Sequence, residues 1–454
     1  MTYLYFNSIM MNINSMMNIF YILSMISIEC LKFMIHRDRF RCIVNITEKV
    51  QQFNIVYVKI FQGICNNSTI LSKQEQKYLL KFTDNVPFTE NEIDYEVLEY
   101  LHSKLSNIDI DMNPINSGVC AIVYRGIYND NDNDNDKKHI CIKILKRGIR
   151  EKVYSAIKDL ELLFTWFDYL PYLCDMNLSM LLKNNKQMFI DQTDFKKEAY
   201  SQQLFREKYK NVDWIRIPEL LNITEKKCEI ADRIIIMEYI EGIKINDLLE
   251  EDKAIFGRLI YRFCLSSALF YNAIHADLHS GNLLFIKEKN RENKDQDPEL
   301  EYKIVLLDFG LCIFPSYENQ TIYYELVNDM FIKKCISISI FNPVTIRPMD
   351  SHNLDNSLDN SLDNIPFSLK TAIIKEINLE FQKHILNNHF GPDTFINMNF
   401  VLRNYGLQYS DEANKILVCL AVASETGKFL SKKWIDIMTE ELHKFQKIQQ
   451  LFEF

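Results

Sequence analysis

The chain has 454 residues, 47% hydrophobic and 25% charged, an ordinary globular balance with length enough for two or three cores. A formal net charge of -9 excludes any global attraction to nucleic acid, and no Lys/Arg run interleaved with aromatics supplies a local one. Eleven cysteines fall singly, with no C-x-x-C pair, which argues against a disulfide framework or structural zinc site and for a reducing intracellular compartment.

In chain order, the first 28 residues carry no charged side chain, and "FYILSMISI" (Phe20 to Ile28) is strongly apolar. Asn7, Asn12, Asn14 and Asn18 dilute the run, so the clean apolar core is shorter than the roughly 20 residues a spanning helix needs. Two readings stand: a helix packed on the rest of the protein, or a membrane anchor, with Lys32, Arg37, Arg39 and Arg41 keeping the following body cytosolic. No arginine precedes Arg37, so an Arg-rich transit peptide is not visible. Residues 1–40 therefore form an apolar N-terminal segment able to contact a membrane, and 41–112 a helical extension.

Three polar segments read as loops: "NDNDNDNDKK" (Asn129 to Lys138), "KEKNRENKDQDPELE" (Lys287 to Glu301) and "NLDNSLDNSLDN" (Asn353 to Asn364). The first separates "AIVYRGIY" (Ala121 to Tyr128) from "HICIKIL" (His139 to Leu145), a predicted hairpin; the second separates "NLLFI" (Asn282 to Ile286) from "YKIVLLD" (Tyr302 to Asp308), another. "RIIIMEYIEG" (Arg233 to Gly242) reads as a strand and turn, while Glu151 to Lys210 and Leu369 to Phe454 show amphipathic helical spacing. Strands first and helices after give a two-lobed α+β pattern, with an N-lobe over 113–242 and a C-lobe over 243–454.

The stretch "FYNAIHADLHSGNLLF" (Phe270 to Phe285) concentrates the chemistry. Phosphoryl transfer needs a carboxylate near the attacking oxygen and oxygen ligands holding Mg²⁺ against the phosphates. Asp277 and Asn282 supply one of each, and Asp308 in "LLDFG" supplies the second carboxylate. Lys143, inside a strand where a lone lysine is otherwise unfavourable, provides an ammonium for the α and β phosphates, and Glu198 on a following helix is its expected partner. Each residue alone has a bland alternative: a snorkelling lysine, a solvated glutamate, a turn-capping aspartate, or a zinc-binding His275-x-Asp277-x-His279 strand. Their joint order carries the nucleotide-binding reading.

These motifs resemble the UbiB-type atypical kinases, also called the AarF-domain or ABC-one family, within the protein-kinase-like fold. His275 to Asn282 matches the family's H-A-D-x-H-x-G-N loop, with Leu278 and Ser280 at the usual prolines. "VKIFQG" (Val58 to Gly63) resembles its K-x-G-Q motif, keeping Lys59 and Gln62 but placing Phe61 at the glycine, and "TDNVPF" (Thr83 to Phe88) resembles Q-D-x-V-P. The resemblance implies a two-lobed protein-kinase-like α+β fold with a helical N-terminal extension and a helix-rich C-terminal lobe. It implies ATP and Mg²⁺ as cofactors, Asp277 as catalytic-loop aspartate, Asn282 and Asp308 as metal ligands, and Lys143–Glu198 as the phosphate-orienting pair. It also implies nucleotide contacts from Gly118, Ala121, Val123 and Glu238, and an extension bearing Lys59 and Gln62 that covers the active site against protein substrates. Where the family has an alanine-rich nucleotide loop, this chain reads "PINSGVCAIVYRG" (Pro114 to Gly126), so Gly118 is expected to bring backbone N–H groups close to phosphates. The implied role is in isoprenoid-quinone or lipid metabolism at a lipid or membrane surface. Two alternatives remain: a small-molecule phosphotransferase of the aminoglycoside or choline kinase type, and a non-catalytic nucleotide-binding scaffold.

Overall fold

The computed structural model describes residues 2–59, 72–79, 86–104, 107–129, 137–169, 178–221, 230–289, 300–349, 362–386, 391–431 and 434–452. The chain divides into two compact units, Met1–Ala199 with Leu220–Tyr239, and Tyr200–Glu219 with Ile240–Phe454.

The first unit opens with α1 (Thr2–His36), uninterrupted because no Gly or Pro breaks it, and α2 (Arg39–Phe53). Arg37 turns the chain at φ 56, and Asp38 caps α2 by accepting from the Arg41 N–H at 2.9 Å. One face of α1 buries Ile19, Ile22 and Met25. On the same side Glu29, 1% exposed, accepts from Lys32 (2.8 Å), Asn45 (2.8 Å) and Lys49 (2.6 Å), which fastens α2 to α1. The other face leaves Met17, Phe20, Ile28, Leu31 and Ile35 exposed, and Met16–His36 has a mean hydropathy of 1.6, long and apolar enough by length and composition to cross a membrane. Residues 55–59 are helical, with Tyr57 and Val58 buried and Lys59 half-buried. Gln62, Phe61, Gly63 and residues 83–85 lie outside the described residues. Helices α3 (Lys73–Leu79) and α4 (Tyr95–Lys104) complete the extension.

An antiparallel sheet follows, built from β1 (Ile108–Ile110), β2 (Asn116–Ser117), β3 (Ala121–Asn129), β4 (Lys137–Leu145) and a later strand (Ile234–Glu238), in the order β1–β3–β4 then that strand, with β2 also on β3. Alternation assigns the faces. Ile122, Tyr124, Ile140, Ile142, Ile144, Ile234 and Ile236 pack with Val97, Leu98 and Leu101 of α4. Ala121, Leu145 and Ile235 join the core that includes α1 and α5 (Ile149–Phe167). Each fully buried isoleucine contributes about 1.5–3 kcal/mol of transfer free energy. Helices α5 and α6 (Leu178–Asp191) fill the stretch between Lys143 and Glu198, and α7 (Phe195–Tyr209) follows; the division between units falls inside α7.

In the second unit, β5 (Ile215–Arg216) runs parallel to the second strand of a hairpin; β6 is the sheet strand Ile234–Glu238 already placed. Next come α8 (Glu250–Ser266), β7 (Ile274–His275), β8 (Leu283–Lys289), β9 (Leu300–Leu306) and β10 (Cys312–Ile313). Strands β8 and β9 pair from Leu283↔Leu306 to Lys289↔Leu300, and β10 pairs with β7. The remainder is α9 (Gln320–Asn328), β11 (Ile346–Pro348), α10 (Phe367–Leu386), α11 (Pro392–Asn404), β12 (Leu407–Tyr409), α12 (Asp411–Leu430) and α13 (Trp434–Phe452). Helical spacing alone predicts helices from Leu369 onward, yet β12 interrupts them: Gly406 takes φ 71, ends α11, and lets Leu407–Tyr409 pair with β11.

Candidate functional site

In the first unit, β4 places Lys143 between Val123 of β3 and Ile235 of β6. Helix α7 starts at an Asp194 cap whose carboxylate accepts from the Lys196 and Lys197 N–H groups, both at 3.1 Å, and this sets Glu198 in the first turn. Lys143 Nζ and Glu198 Oε1 meet at 2.6 Å, with side chains 11% and 3% exposed. The Phe195 ring, one helical turn before Glu198, lies 5.4 Å from the ammonium and adds a cation–π contact. No motif marks Phe195; its spacing of three from Glu198 on one helix face is the signal that finds it.

The other expected nucleotide contacts differ. Ala121 is buried opposite Leu145, and Val123 lies directly across from Lys143 on the same face. Glu238 pairs with Ile140, so strand alternation turns its side chain to the face opposite Lys143, and a nucleotide contact there would use its backbone. The Gly118 N–H donates to the Ala121 carbonyl at 2.9 Å, and an added Cβ would meet nothing nearer than 3.9 Å. The Gly118 N–H thus closes the β2–β3 turn, and an approach of phosphate to this loop would use other backbone N–H groups. Lys146, three residues past Lys143, carries no motif signal; it is 2% exposed, its Nζ lies 5.8 Å from the Phe88 ring with no hydrogen-bond partner among the described residues, and burial lowers its pKa against the opposing charge of Glu92.

In the second unit, a π turn over Ser267–Tyr271 ends at Asn272, which adopts φ 44 and leads the chain into β7. His275, 2% exposed, donates from Nε2 to the Leu307 carbonyl at 2.9 Å and lies edge-on to Phe205 and Phe309. Burial lowers its pKa, so the ring is neutral near neutral pH. Ala276 N–H donates to Leu311 O (2.9 Å), and Leu278, 1% exposed, has its carbonyl held by the Thr426 hydroxyl at 3.1 Å. Side-chain burial and this bond hold the loop at Leu278.

Asp277 follows, half-buried. Its backbone carbonyl accepts from the His279 N–H (2.8 Å) and from Asn282 Nδ2 (2.9 Å). With Nδ2 so engaged, the side-chain Oδ1 of Asn282 is the atom able to ligate a cation. Leu307 N–H donates to Asn282 O at 2.9 Å, so the β8–β9 hairpin brings the metal-ligand candidates Asn282 and Asp308 to the same end of one hairpin. Asp308 is exposed at φ 55, its Oδ1 accepting from Gly310 N–H at 3.2 Å, while Phe309 beside it is buried. A left-handed aspartate is a strained position held by its neighbours. Among the described residues no three His, Cys, Asp or Glu side chains converge as a metal centre. An amide oxygen and a carboxylate are hard ligands that suit Mg²⁺, which keeps waters and phosphate oxygens as its other ligands. Lys59 lies in the first unit, apart in sequence from these elements, and Gln62 is outside the described residues.

Comparison with known proteins gives this chemistry a family. The model of the ABC1 atypical kinase-like domain matches residues 81–338, more than half of the chain. The ABC1 family protein MCP2 of Saccharomyces cerevisiae is 25% identical over 279 residues, covering 59% of this chain and 47% of the yeast protein. A probable protein kinase UbiB from Shewanella is 24% identical over 259 residues, covering 54% of this chain and 44% of the other. The chain thus spans about half the length of these curated relatives. Among solved structures, the Rv3197–erythromycin complex of Mycobacterium tuberculosis has 17% identity and a TM-score of 0.44, covering 77% of this chain and 82% of that one. The fold is the α+β protein-kinase-like one, and the chain, whose relatives include proteins named for AarF and UbiB, belongs to the ABC1 atypical kinase-like family.

Proposed function

We propose that this protein is an ATP- and Mg²⁺-dependent atypical kinase or ATPase of the UbiB type that acts at a lipid surface, in lipid or isoprenoid-quinone metabolism. The observation that carries the reading is the buried Lys143–Glu198 pair at 2.6 Å, because an ion pair desolvated this far gains little as a stabiliser and is well suited to presenting an oriented ammonium to phosphate oxygens. In this reading Lys143, steadied by Glu198 and Phe195, would engage phosphate oxygens. Asp277 would take the proton of the attacking hydroxyl or water, with Asn282 and Asp308 holding the metal. Bound Mg²⁺ would supply charge neutralisation on the phosphates.

The lipid surface is supported by α1. Its outer face presents Phe20 and Ile35, 75% and 76% exposed, and the basic residues Lys32, Arg37, Arg39 and Arg41 lie at or just beyond its C-terminal end in a chain of net charge -9. The Shewanella relative's name, probable protein kinase UbiB, agrees with the kinase class. The test is Mg²⁺-dependent ATP hydrolysis by the full chain, with and without anionic lipid vesicles, beside Asp308→Asn. Vesicle-stimulated turnover that the substitution abolishes is expected; nucleotide binding without turnover under any condition would instead support the scaffold reading.

A further inference from the structure

The two histidines of the catalytic-loop motif are held differently. His275 is buried against a backbone carbonyl, whereas His279 lies beside the Asp277 carboxylate. His279 Nδ1 accepts from the Gly281 N–H at 3.0 Å, so in the neutral ring the proton resides on Nε2. That Nε2 is 3.7 Å from Asp277 Oδ2. The separation is longer than a hydrogen bond, as catalytic contacts often are without substrate. No other side chain among the described residues hydrogen-bonds or ion-pairs with that carboxylate. The Asp277 backbone is meanwhile pinned through its own carbonyl by His279 N–H and Asn282 Nδ2. The imidazole thus spans the turn leading to Asn282 on one side and the carboxylate on the other.

We propose that His279 is a positioning residue for Asp277: its Nε2–H restrains Oδ2 and leaves Oδ1 to receive the proton of the attacking group. The inference rests on Asp277 serving as the base, and its test separates the two. In full-length protein labelled with ¹⁵N-histidine, long-range ¹H–¹⁵N correlation spectra should show His279 protonated at Nε2 and bare at Nδ1, and Asp277→Asn should shift the Nε2 resonance more than the Nδ1. In ATP hydrolysis, His279→Asn keeps an acceptor at the δ position but loses the ε donor, while His279→Gln keeps the ε donor. The asparagine variant should lose about ten- to a hundredfold in kcat with an unchanged KM for Mg-ATP, and the glutamine variant should stay within about threefold of the parent. An Nδ1–H tautomer, an Nε2 resonance indifferent to Asp277→Asn, a fully active asparagine variant, or equal losses in both variants would overturn the proposal. If the parent chain turns over no ATP, the functional reading falls, and the spectra alone decide whether the contact exists.

Discussion

Breaking and then removing the Lys143–Glu198 pair should give opposite results. In Lys143→Met, Glu198 at 3% exposure keeps a buried carboxylate without its ammonium, a loss of about 3–5 kcal/mol. Glu198→Leu should lose less, about 2–3 kcal/mol, because Lys143 retains the Phe195 face at 5.4 Å and some access to solvent. The double variant replaces both charges with apolar groups of similar volume and should recover most of the loss, to within about 1 kcal/mol of the parent or better. Against a total of about 5–15 kcal/mol for a domain, the single losses are large, and they move a urea midpoint by about 1–2 M. The assay is hydrogen-exchange pulse labelling across a urea series, read on peptides of β4 and α5, both wholly in the first unit, so that the second unit does not obscure it. Mg-ATP affinity should be lost in the double variant even as stability returns. A double variant no more stable than the weaker single variant would refute the argument that each single loss comes from a buried charge left without its opposite.

Three further outcomes follow from the second unit. Asp308 is exposed at φ 55, so Asp308→Gly should leave stability within about 1 kcal/mol, whereas Asp308→Val, β-branched and intolerant of that region, should lose about 2 kcal/mol more; thermal melts of both variants check the order. Gly427→Ala places a Cβ on the ring of Tyr261, itself fully buried, so the usual helix-propensity gain should reverse to a loss of about 1–3 kcal/mol that Tyr261→Leu partly rescues in a denaturant titration. Burial alone would raise the Glu441 pKa, but hydrogen bonds from Arg262 (2.8 Å), Lys444 (2.7 Å) and Arg258 (3.0 Å) hold it at about 2. A folded pKa below the unfolded value means the stabilisation is present above about pH 4.3 and is lost as pH falls toward 2. Urea midpoints from pH 5 down to 2 should fall in the parent and fall less steeply in Glu441→Gln.

What the sequence made legible was whatever depends on local order. The β3–β4 and β8–β9 hairpins follow from period-two apolar runs on either side of polar tips, and Lys143, Glu198, Asp277, Asn282 and Asp308 are recognisable by their fixed order along the strands, the helix and the loops that carry them. What stayed hidden depends on contacts distant in the chain. Nothing in the run of uncharged residues before Glu29 says which side of α1 will be covered; that is set by Asn18 bonding Asp159, 141 residues away, and by Asn45 and Lys49 reaching Glu29. The partner of the Gly118 N–H is equally invisible, because a glycine in a loop reads the same whether its N–H is free or closes a turn.

The catalytic loop shows how one such distant contact substitutes for a missing local rule. Prolines would stiffen this loop from within by fixing φ. Leu278 and Ser280 cannot, so rigidity has to come from the packing underneath. Leu278 is buried in the second unit's core and tied to Thr426 of α12, while His275 is wedged between Phe205 and Phe309 and anchored to Leu307. The same core that stabilises α8 and α12 therefore also fixes Asp277 and Asn282. Loss of the Thr426 hydroxyl should act on both at once: Thr426→Val, nearly isosteric, leaves the buried Leu278 carbonyl without its donor, a stability loss of about 1–3 kcal/mol. If the loop draws its geometry from that anchor, kcat for ATP should fall in the same variant at temperatures well below its melting point. Unchanged kcat in a measurably destabilised Thr426→Val protein would show that the loop holds its own shape.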